Sequence, residues 1–483
     1  MNLTTLPDRR ADAIPTAPAL ADDAVTLDNT ELLDRVRRAA GALSAAGIGA
    51  GDVVAIMLPN TTGFVVSLFA AWRLGAAATP INPSLTPVEA GYQITDAGAK
   101  VLIAERLPDF AAPVETVIPV DELVTAGPGA PEPADIGDDT LALLIYTSGT
   151  TGRPKGVMLD HANLNAMCTM VIEAFELTAA DNSLLILPLF HVNGIVAGAL
   201  SPLLAGGRAT VAGRFSVRTF FDRIERSRAT YFSAVPTIFT MLSDLPDEVR
   251  PDTSSVRFAV CGAAPASVEL LTRFESRYGI PVIEGYGLSE GSCASAINPL
   301  HGPRRAGTVG IPLPGQRIRI ADPDGAPVPD GASGEVLVSG PNVMRGYFNR
   351  PDETERTIVD GWLHTGDIGR IDDGYLVLVD RAKDMIIRGG ENIYPKEIET
   401  VVYQLPEIAE AAVVGRAHPV YGEEPVLYVS LNAGADLDAE KIRGHVSGAL
   451  SKYKLPVDIT FLAEMPKNAV GKIDKPLLRR LSA

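Results

Sequence analysis

This sequence predicts an α/β protein of more than one domain, and three observations carry the prediction. Short apolar runs alternate with helical stretches from Val53 to Cys261, the rhythm of strands joined by helical crossovers. The chain has 483 residues, too many for one ordinary core. The texture then changes twice. From about Gly307, Gly and Pro turns separate alternating runs, as in a β-rich subdomain. Near Asp380–Lys383 a compact α+β unit begins, of roughly 100 residues.

The elements follow in order. Asn29 or Thr30 is placed to cap a helix through Ala46, ended by Gly47 and Gly49. Val53–Leu58, Ala76–Ile81 and Val101–Ala104 read as strands, with helices at Phe64–Leu74 and Pro87–Thr95 between them. Residues 126–139 are rich in Pro, Gly and acid and read as a surface connection. Leu141–Tyr146 is a buried strand, and Asp160 caps a helix to about Phe175. Ser183–Leu187, Ala209–Val211, Tyr231–Ala234 and Phe258–Cys261 continue the strands. Ile318–Ala321 and Glu335–Ser339 belong to the β-rich part. In the tail, Asp384–Ile387, Ala411–Val414 and Val426–Leu431 are strands. Pro395–Tyr403 and Asp438–Leu450 are helices, the second capped near Asp436 or Asp438.

Composition excludes some functions. A net charge of −17 argues against a general nucleic-acid or anionic-membrane binder, while leaving room for positive charge inside a cleft. Cys168, Cys261 and Cys293 are scattered, with no metal-ligand spacing, and suit a reducing compartment as small core residues. Met1–Leu20 has no apolar core of signal-peptide type. Gly63–Ala78 is interrupted by Arg73 and reads as a buried helix rather than a membrane span. The expected location is cytoplasmic.

The chemistry centres on Tyr146–Gly156. Gly149, Gly152 and Gly156 allow tight turns and close approach to a ligand. Ser148, Thr150 and Thr151 add hydroxyls, and Arg153 and Lys155 add positive charge. Such a loop suits a polyphosphate, although Gly156 after Lys155 departs from the Walker A pattern. In Gly361–Asp367, an acid after a glycine turn is suited to the hydroxyls of a ribose. In Glu284–Glu290, Tyr286 sits between Gly285 and Gly287 and can present its ring to a base. Glu290 is suited to a hard divalent cation. His191, before Asn193-Gly194, can line or gate a substrate pocket. Lys472 lies on a Gly-bearing turn that can deliver an electrophile, or is simply exposed. No nucleophilic triad and no zinc spacing is evident in the sequence.

Taken together, Tyr146–Gly156, Leu187–Gly194, Gly285–Glu290, Gly361–Asp367, Asp380–Glu399 and Pro466–Lys472 resemble the adenylate-forming enzymes: acyl-CoA synthetases, aryl-CoA ligases, luciferase and adenylation domains of peptide synthetases. The resemblance runs from about Ala39 to Lys475 and is closest to free-standing bacterial fatty-acyl-CoA ligases. It implies a large N-terminal domain, residues 1–382, of two α/β subdomains and a β-rich one. A small mobile α+β C-terminal domain, residues 383–483, would carry the catalytic lysine.

It further implies that a carboxylate reacts with ATP to give an acyl-adenylate and pyrophosphate, and that the acyl group then passes to a thiol. Thr147, Ser148, Gly149, Thr150, Thr151, Gly152 and Lys155 would hold phosphates, with Ser289. Tyr286 would stack on adenine opposite Gly262, Ala263 and Ala264, beside Glu284, Gly285 and Gly287. Thr150 and Glu290 would hold Mg²⁺, and Asp367 and Arg381 the ribose. Lys472 would contact the reacting carboxylate and α-phosphate, and joins Lys155, His191 and Glu290 among the catalytic candidates. Lys383 would be the hinge, and Gly389, Gly390 and Glu391 would face the CoA channel. Ser289 stands where the family has threonine and keeps the hydroxyl. The short N-terminus is expected to abbreviate family strands before Thr30.

The acid pocket would be lined by His191, Val192, Asn193, Ile195, Ala234, Gly285 and Gly287, small or apolar residues that suit an aliphatic or aromatic monocarboxylate. Arg214 keeps a malonate- or oxalate-like dicarboxylate open. The segments Arg388–Pro395 and Tyr453–Pro456 favour free CoA over an acyl carrier protein as acceptor, and Pro466–Lys472 resembles a segment that lysine acetyltransferases recognise.

Overall fold

A computed structural model of the chain describes residues 3–107, 112–125, 132–147, 154–264, 266–381, 384–389, 391–467 and 473–482. Two compact units form, residues 1–318 with 338–364 and residues 319–337 with 365–483. The boundary expected at residues 382 and 383 lies outside the described residues.

In the first unit, a nine-stranded sheet runs in the order Ile311–Pro312, Ala296–Ile297, Val282–Tyr286, Phe258–Cys261, Tyr231–Ala234, Asn182–Leu185, Arg208–Val211, Pro18–Ala21, Thr26–Asp28. Its central strands, from Val282–Tyr286 to Pro18–Ala21, are parallel, as expected of apolar runs covered on both faces. Two strands precede Thr30, Pro18–Ala21 and Thr26–Asp28, and they close one edge.

A seven-stranded sheet runs Gly346–Tyr347, Lys155–Asp160, Leu141–Thr147, Ala77–Pro80, Val53–Met57, Val101–Ala104, Thr116–Pro119. The helix Asn29–Ala45 is capped by Asp28, whose carboxylate accepts from Glu31 N at 2.8 Å, not by Asn29 or Thr30. Asn29 is committed elsewhere: its Oδ1 accepts from Arg10 Nε and its Nδ2 donates to Ile14 O. Arg73, at the end of the apolar helix Thr62–Arg73, is buried and reaches Asp8 at 2.7 Å. Gly194–Leu200 winds as a π-helix and continues as the α-helix Ser201–Leu204.

A five-stranded sheet runs Arg317–Ala321, Gly334–Ser339, Trp362–Asp372, Ile358–Val359, with Tyr375–Arg381 paired antiparallel to Trp362–Asp372. A further sheet runs Glu391–Ile393, Ile386–Arg388, Gly422–Leu431, Ile408–His418, with Asp458–Phe461 joining Gly422–Leu431. Ile398, Val402, Val413, Leu427, Ile442 and Val446 form its core. The hairpin strands outrun the apolar stretches that announced them. Their outer ends pair charged residues, Arg416 opposite Glu424 at 2.7 Å, which hydrophobic alternation does not register.

Candidate active site

The strands Asn182–Leu185, Tyr231–Ala234, Phe258–Cys261 and Val282–Tyr286 are parallel neighbours, so their C-terminal ends share one edge of the sheet. That edge is where open α/β sheets bind ligands. Ala234, Gly262–Ala264 and Gly285–Gly287 lie at these ends, and His191–Asn193 follow the first strand. A Cβ on Gly262 would stand 3.2 Å from Gly285 O, so the two strand ends approach closely. Ala263 is exposed and has φ +66°, a left-handed conformation that costs a non-glycine residue on the order of 1 kcal/mol and gathers at functional sites.

Gly287 admits no side chain at all, because a Cβ would lie 1.9 Å from Cys293 O. The turn Ser289–Gly291 follows, then Ser292 and Cys293 with φ +63° and +145°. Ser292 Oγ donates to Asn342 O at 2.5 Å, and Asn342 Nδ2 donates to Gly291 O at 2.9 Å. The backbone presenting Ser289 and Glu290 is therefore held from several sides. Tyr286, at the strand's end, is 9% exposed, and its carbonyl accepts from Ser295 N.

The acid-pocket candidates gather at the same edge. Val192, Ile195 and Ala234 are buried, and His191 is half-buried with its ring 4.7 Å from that of Phe190. Asn193 Nδ2 donates to Cys293 Sγ at 3.5 Å, tying the start of the π-helix to the turn beyond Gly287. Burial pushes the Cys293 thiol up to about 12, so it is a neutral wall rather than a nucleophile.

Leu141–Thr147 and Lys155–Asp160 are antiparallel with Thr147 opposite Lys155, so the phosphate-loop candidate connects two paired strands. Ser148, Gly149, Thr150, Thr151 and Gly152 lie outside the described residues. The hairpin's root is firmly tied. Tyr146 Oη donates to Asp96 at 2.8 Å, Arg350 donates to Asp96 at 3.2 Å, and Tyr92 Oη donates to Pro154 O at 3.2 Å.

Beside it, Lys155 pairs with Glu353 and lies 5.2 Å over the Tyr347 ring. Tyr347 Oη donates to Glu290 Oε1 at 2.9 Å. Burial lowers the Lys155 pKa, Arg350 adding to the effect and Glu290 opposing it. Burial and then the Glu290 charge raise that of the Tyr347 phenol, which stays a donor. The Lys155 ammonium and the Glu290 carboxylate thus meet on the same residue, Tyr347, one on its ring and one on its hydroxyl. The donor set fits magnesium held with a nucleotide. The Glu290 carboxylate has lone pairs to spare beyond the one hydrogen bond it accepts from Tyr347 among the described residues.

In the second unit Asp367 is buried in Trp362–Asp372, in register with Arg381. Gly366 has φ +69° and donates to Glu335, while Thr365 Oγ1 donates to Val336 O at 2.7 Å, fixing the turn before Asp367. Gly389, with φ +60°, donates to Tyr421 O, and Glu391 is exposed opposite Arg388. Lys383, Gly390 and Lys472 lie outside the described residues. The segment around Lys472 has described ends: Lys467 bridges Ile473, and Lys475 pairs with Glu399 at 2.8 Å.

Sequence reasoning missed Tyr347, Glu353, Arg350, Asp96 and Tyr92. Tyr347 lies in a two-residue strand, too short for any periodicity. Its one signal is Gly346, where a Cβ would lie 2.5 Å from Thr354.

Residues 7–348 match the AMP-binding enzyme family, and residues 397–472 match the AMP-binding enzyme C-terminal domain. Feruloyl-CoA synthase of an Amycolatopsis species is 37% identical over 99% of this chain and 98% of its own. ATP-bound MatB from Rhodopseudomonas palustris aligns with a TM-score of 0.93 at 32% identity, over 100% of this chain and 99% of that one. O-succinylbenzoate coenzyme A synthetase from Bacillus subtilis, in complex with ATP and magnesium ion, aligns with a TM-score of 0.89 at 33% identity, over 98% and 99%.

Proposed function

The chain belongs to the AMP-binding enzymes and is an AMP-forming acid–CoA ligase using ATP, and we propose that its acid is an aliphatic or aromatic monocarboxylate. The observation that carries this reading is the edge of the parallel sheet. There Val192, Ile195 and Ala234 are buried and apolar, and Asn193 beside them bonds Cys293, just past the glycine-built turn that presents Glu290. Apolar walls would hold the acid's body, and its carboxylate would point towards the nucleotide.

In the first step a carboxylate oxygen attacks the α-phosphorus and the bond to the bridging oxygen breaks, releasing pyrophosphate. Lys155, Thr147 and residues 148–152 would hold the departing phosphates. Magnesium, bound by Glu290 with Thr150, would neutralise phosphate charge. Ser289 would donate to a phosphate oxygen, and Tyr347 would aim the Glu290 carboxylate. Tyr286, Gly262–Ala264 and Glu284–Gly287 would frame the adenine, and Asp367 and Arg381 the ribose. Lys472 would lie between the two approaching anions, worth on the order of 10²–10³ in rate. In the second step the CoA thiol loses its proton, attacks the acyl carbon and expels AMP. The swing about Lys383 would bring Gly389–Glu391 beside the thiol.

ATP–pyrophosphate exchange across short, medium, long, aromatic and dicarboxylic acids tests the assignment. A monocarboxylate should give the highest exchange, and exchange confined to dicarboxylates would overturn it. A specific observation favours that second reading. Arg214 is exposed just beyond Arg208–Val211, a parallel neighbour of the strand leading to His191, so a cation is available on the same edge. Thioester formation with CoA set against that with an acyl carrier protein tests the acceptor, and CoA is expected. A lysine acetyltransferase acting on Lys472 would remove its charge and stop the first step. A cytoplasmic setting is supported by three buried free cysteines. Among the described residues, no helix is long and apolar enough to cross a membrane.

A further inference from the structure

A cavity of about 210 Å³ opens away from the candidate active site, between the helix Leu6–Ala13 and the end of the helix Ser201–Leu204. Its apolar wall is Leu6, Ile14, Leu203 and Leu204. Ile14 is 55% exposed at this wall. The cavity lies at the other edge of the nine-stranded sheet. Leu203–Gly206 precede the strand Arg208–Val211, whereas the acid-pocket residues follow the C-terminal ends of its parallel neighbours.

Arg10 also lines this cavity, and it is 8% exposed. Its Nε donates to Asn29 Oδ1 at 2.8 Å, Nη1 to Leu203 O, and Nη2 to Gly207 O at 2.8 Å. All three acceptors are neutral. A guanidinium has five N–H donors, so two remain. Among the described residues no carboxylate pairs with Arg10, and the neighbouring Asp8 is committed to Arg37 and Arg73. A buried cation without a counter-ion is costly, and helix-end carbonyls offset only part of the cost. Burial lowers the Arg10 pKa to about 10, in keeping with an uncompensated charge.

We propose that this cavity is a second small-molecule site, which takes an amphipathic monoanion with its carboxylate or sulfonate head on Arg10 and its apolar tail along Leu6, Ile14, Leu203 and Leu204. The site stands apart from the reaction, and its occupancy requires no turnover.

Calorimetric titration of the full-length enzyme with hexanesulfonate tests it, since that probe has the right polarity and no carboxylate to adenylate. Ala13 is exposed on the cavity's rim, so Ala13→Trp should fill the space without disturbing the core. The wild type should show a binding component that Ala13→Trp loses or weakens by at least about tenfold, the scale of a lost charge-assisted contact. Activity of Ala13→Trp without the probe should equal that of the wild type. Arg10→Gln keeps donors for the carbonyls but lacks the charge, and should lose the same component. Any entry of the probe into the acid pocket contributes equally to wild type and Ala13→Trp and cancels in the comparison. Identical isotherms for those two proteins, or no binding by the wild type at millimolar probe, would overturn the proposal. The Ala13→Trp comparison decides the matter even if Arg10→Gln does not fold.

Discussion

Tyr347 is the residue on which the candidate site turns, and it acts through another group. Its hydroxyl bonds the carboxylate of Glu290 while its ring underlies Lys155. Tyr347→Phe keeps the ring and removes the hydroxyl, so ATP–pyrophosphate exchange should fall by about tenfold, the worth of one hydrogen bond to a charged group. Glu290→Gln should fall further, with its residual rate less responsive to magnesium titration.

A different single residue contributes to acid stability. His161 is 2% exposed, with its ring 5.3 Å from that of Trp72, and neither ring nitrogen has a hydrogen-bond partner among the described residues. Burial holds its pKa down to about 4. The unfolded chain then binds this proton more readily than the folded one. The contribution is full above about 6.5 and is lost as pH falls towards 4, in all about 3 kcal/mol. Denaturant melts between pH 7 and 4 should show this slope, and His161→Phe should flatten it. Sequence alone does not expose such a residue, because a histidine opening a helix after its cap looks solvated.

At the scale of elements, legibility followed apolar contrast. Val101–Ala104, Tyr231–Ala234 and Phe258–Cys261 emerged with the bounds expected, because each is a run of side chains buried or nearly so between polar ends. The glycine motifs were equally visible, since glycine is a local signal for a backbone constraint. The root of the phosphate hairpin was not. Tyr146, Asp96, Tyr92 and Arg350 come together from three separate stretches, and nothing local in any of them points to the others. Gly287 tests the strength of the constraint. In Gly287→Ala the new carbon meets backbone rather than a flexible side chain, so the turn must shift. A loss of about 3 kcal/mol or more in chemical denaturation is expected, together with loss of nucleotide binding.

For the whole molecule, the two half-reactions place different demands on the chain. Lys472→Ala should abolish adenylate formation, measured by pyrophosphate exchange, and spare thioester formation from supplied acyl-adenylate. Equal loss in both assays would contradict its assigned role. Lys383→Pro fixes φ at the proposed hinge and should slow the second half-reaction more than the first in single-turnover kinetics. Both residues came from the ordered series of motifs. No single motif carried the inference, but six in sequence along nearly the full chain did, and the family match over residues 7–348 and 397–472 covers the same ground. The acid was less legible, because pocket depth depends on how distant segments meet at the sheet edge.

The helical rod from Gly194 to Leu204 joins two places usually considered separately. One end begins at Asn193, an acid-pocket candidate bonded to Cys293, and the other is gripped through Leu203 O by Arg10. A π-helical turn carries an extra residue, and releasing it would let the rod rewind without breaking the chain's path. Laboratory selection for new acids should therefore recover changes at Leu203–Gly207 as readily as changes beside His191. Substrate choice in this protein can drift through residues the substrate never touches.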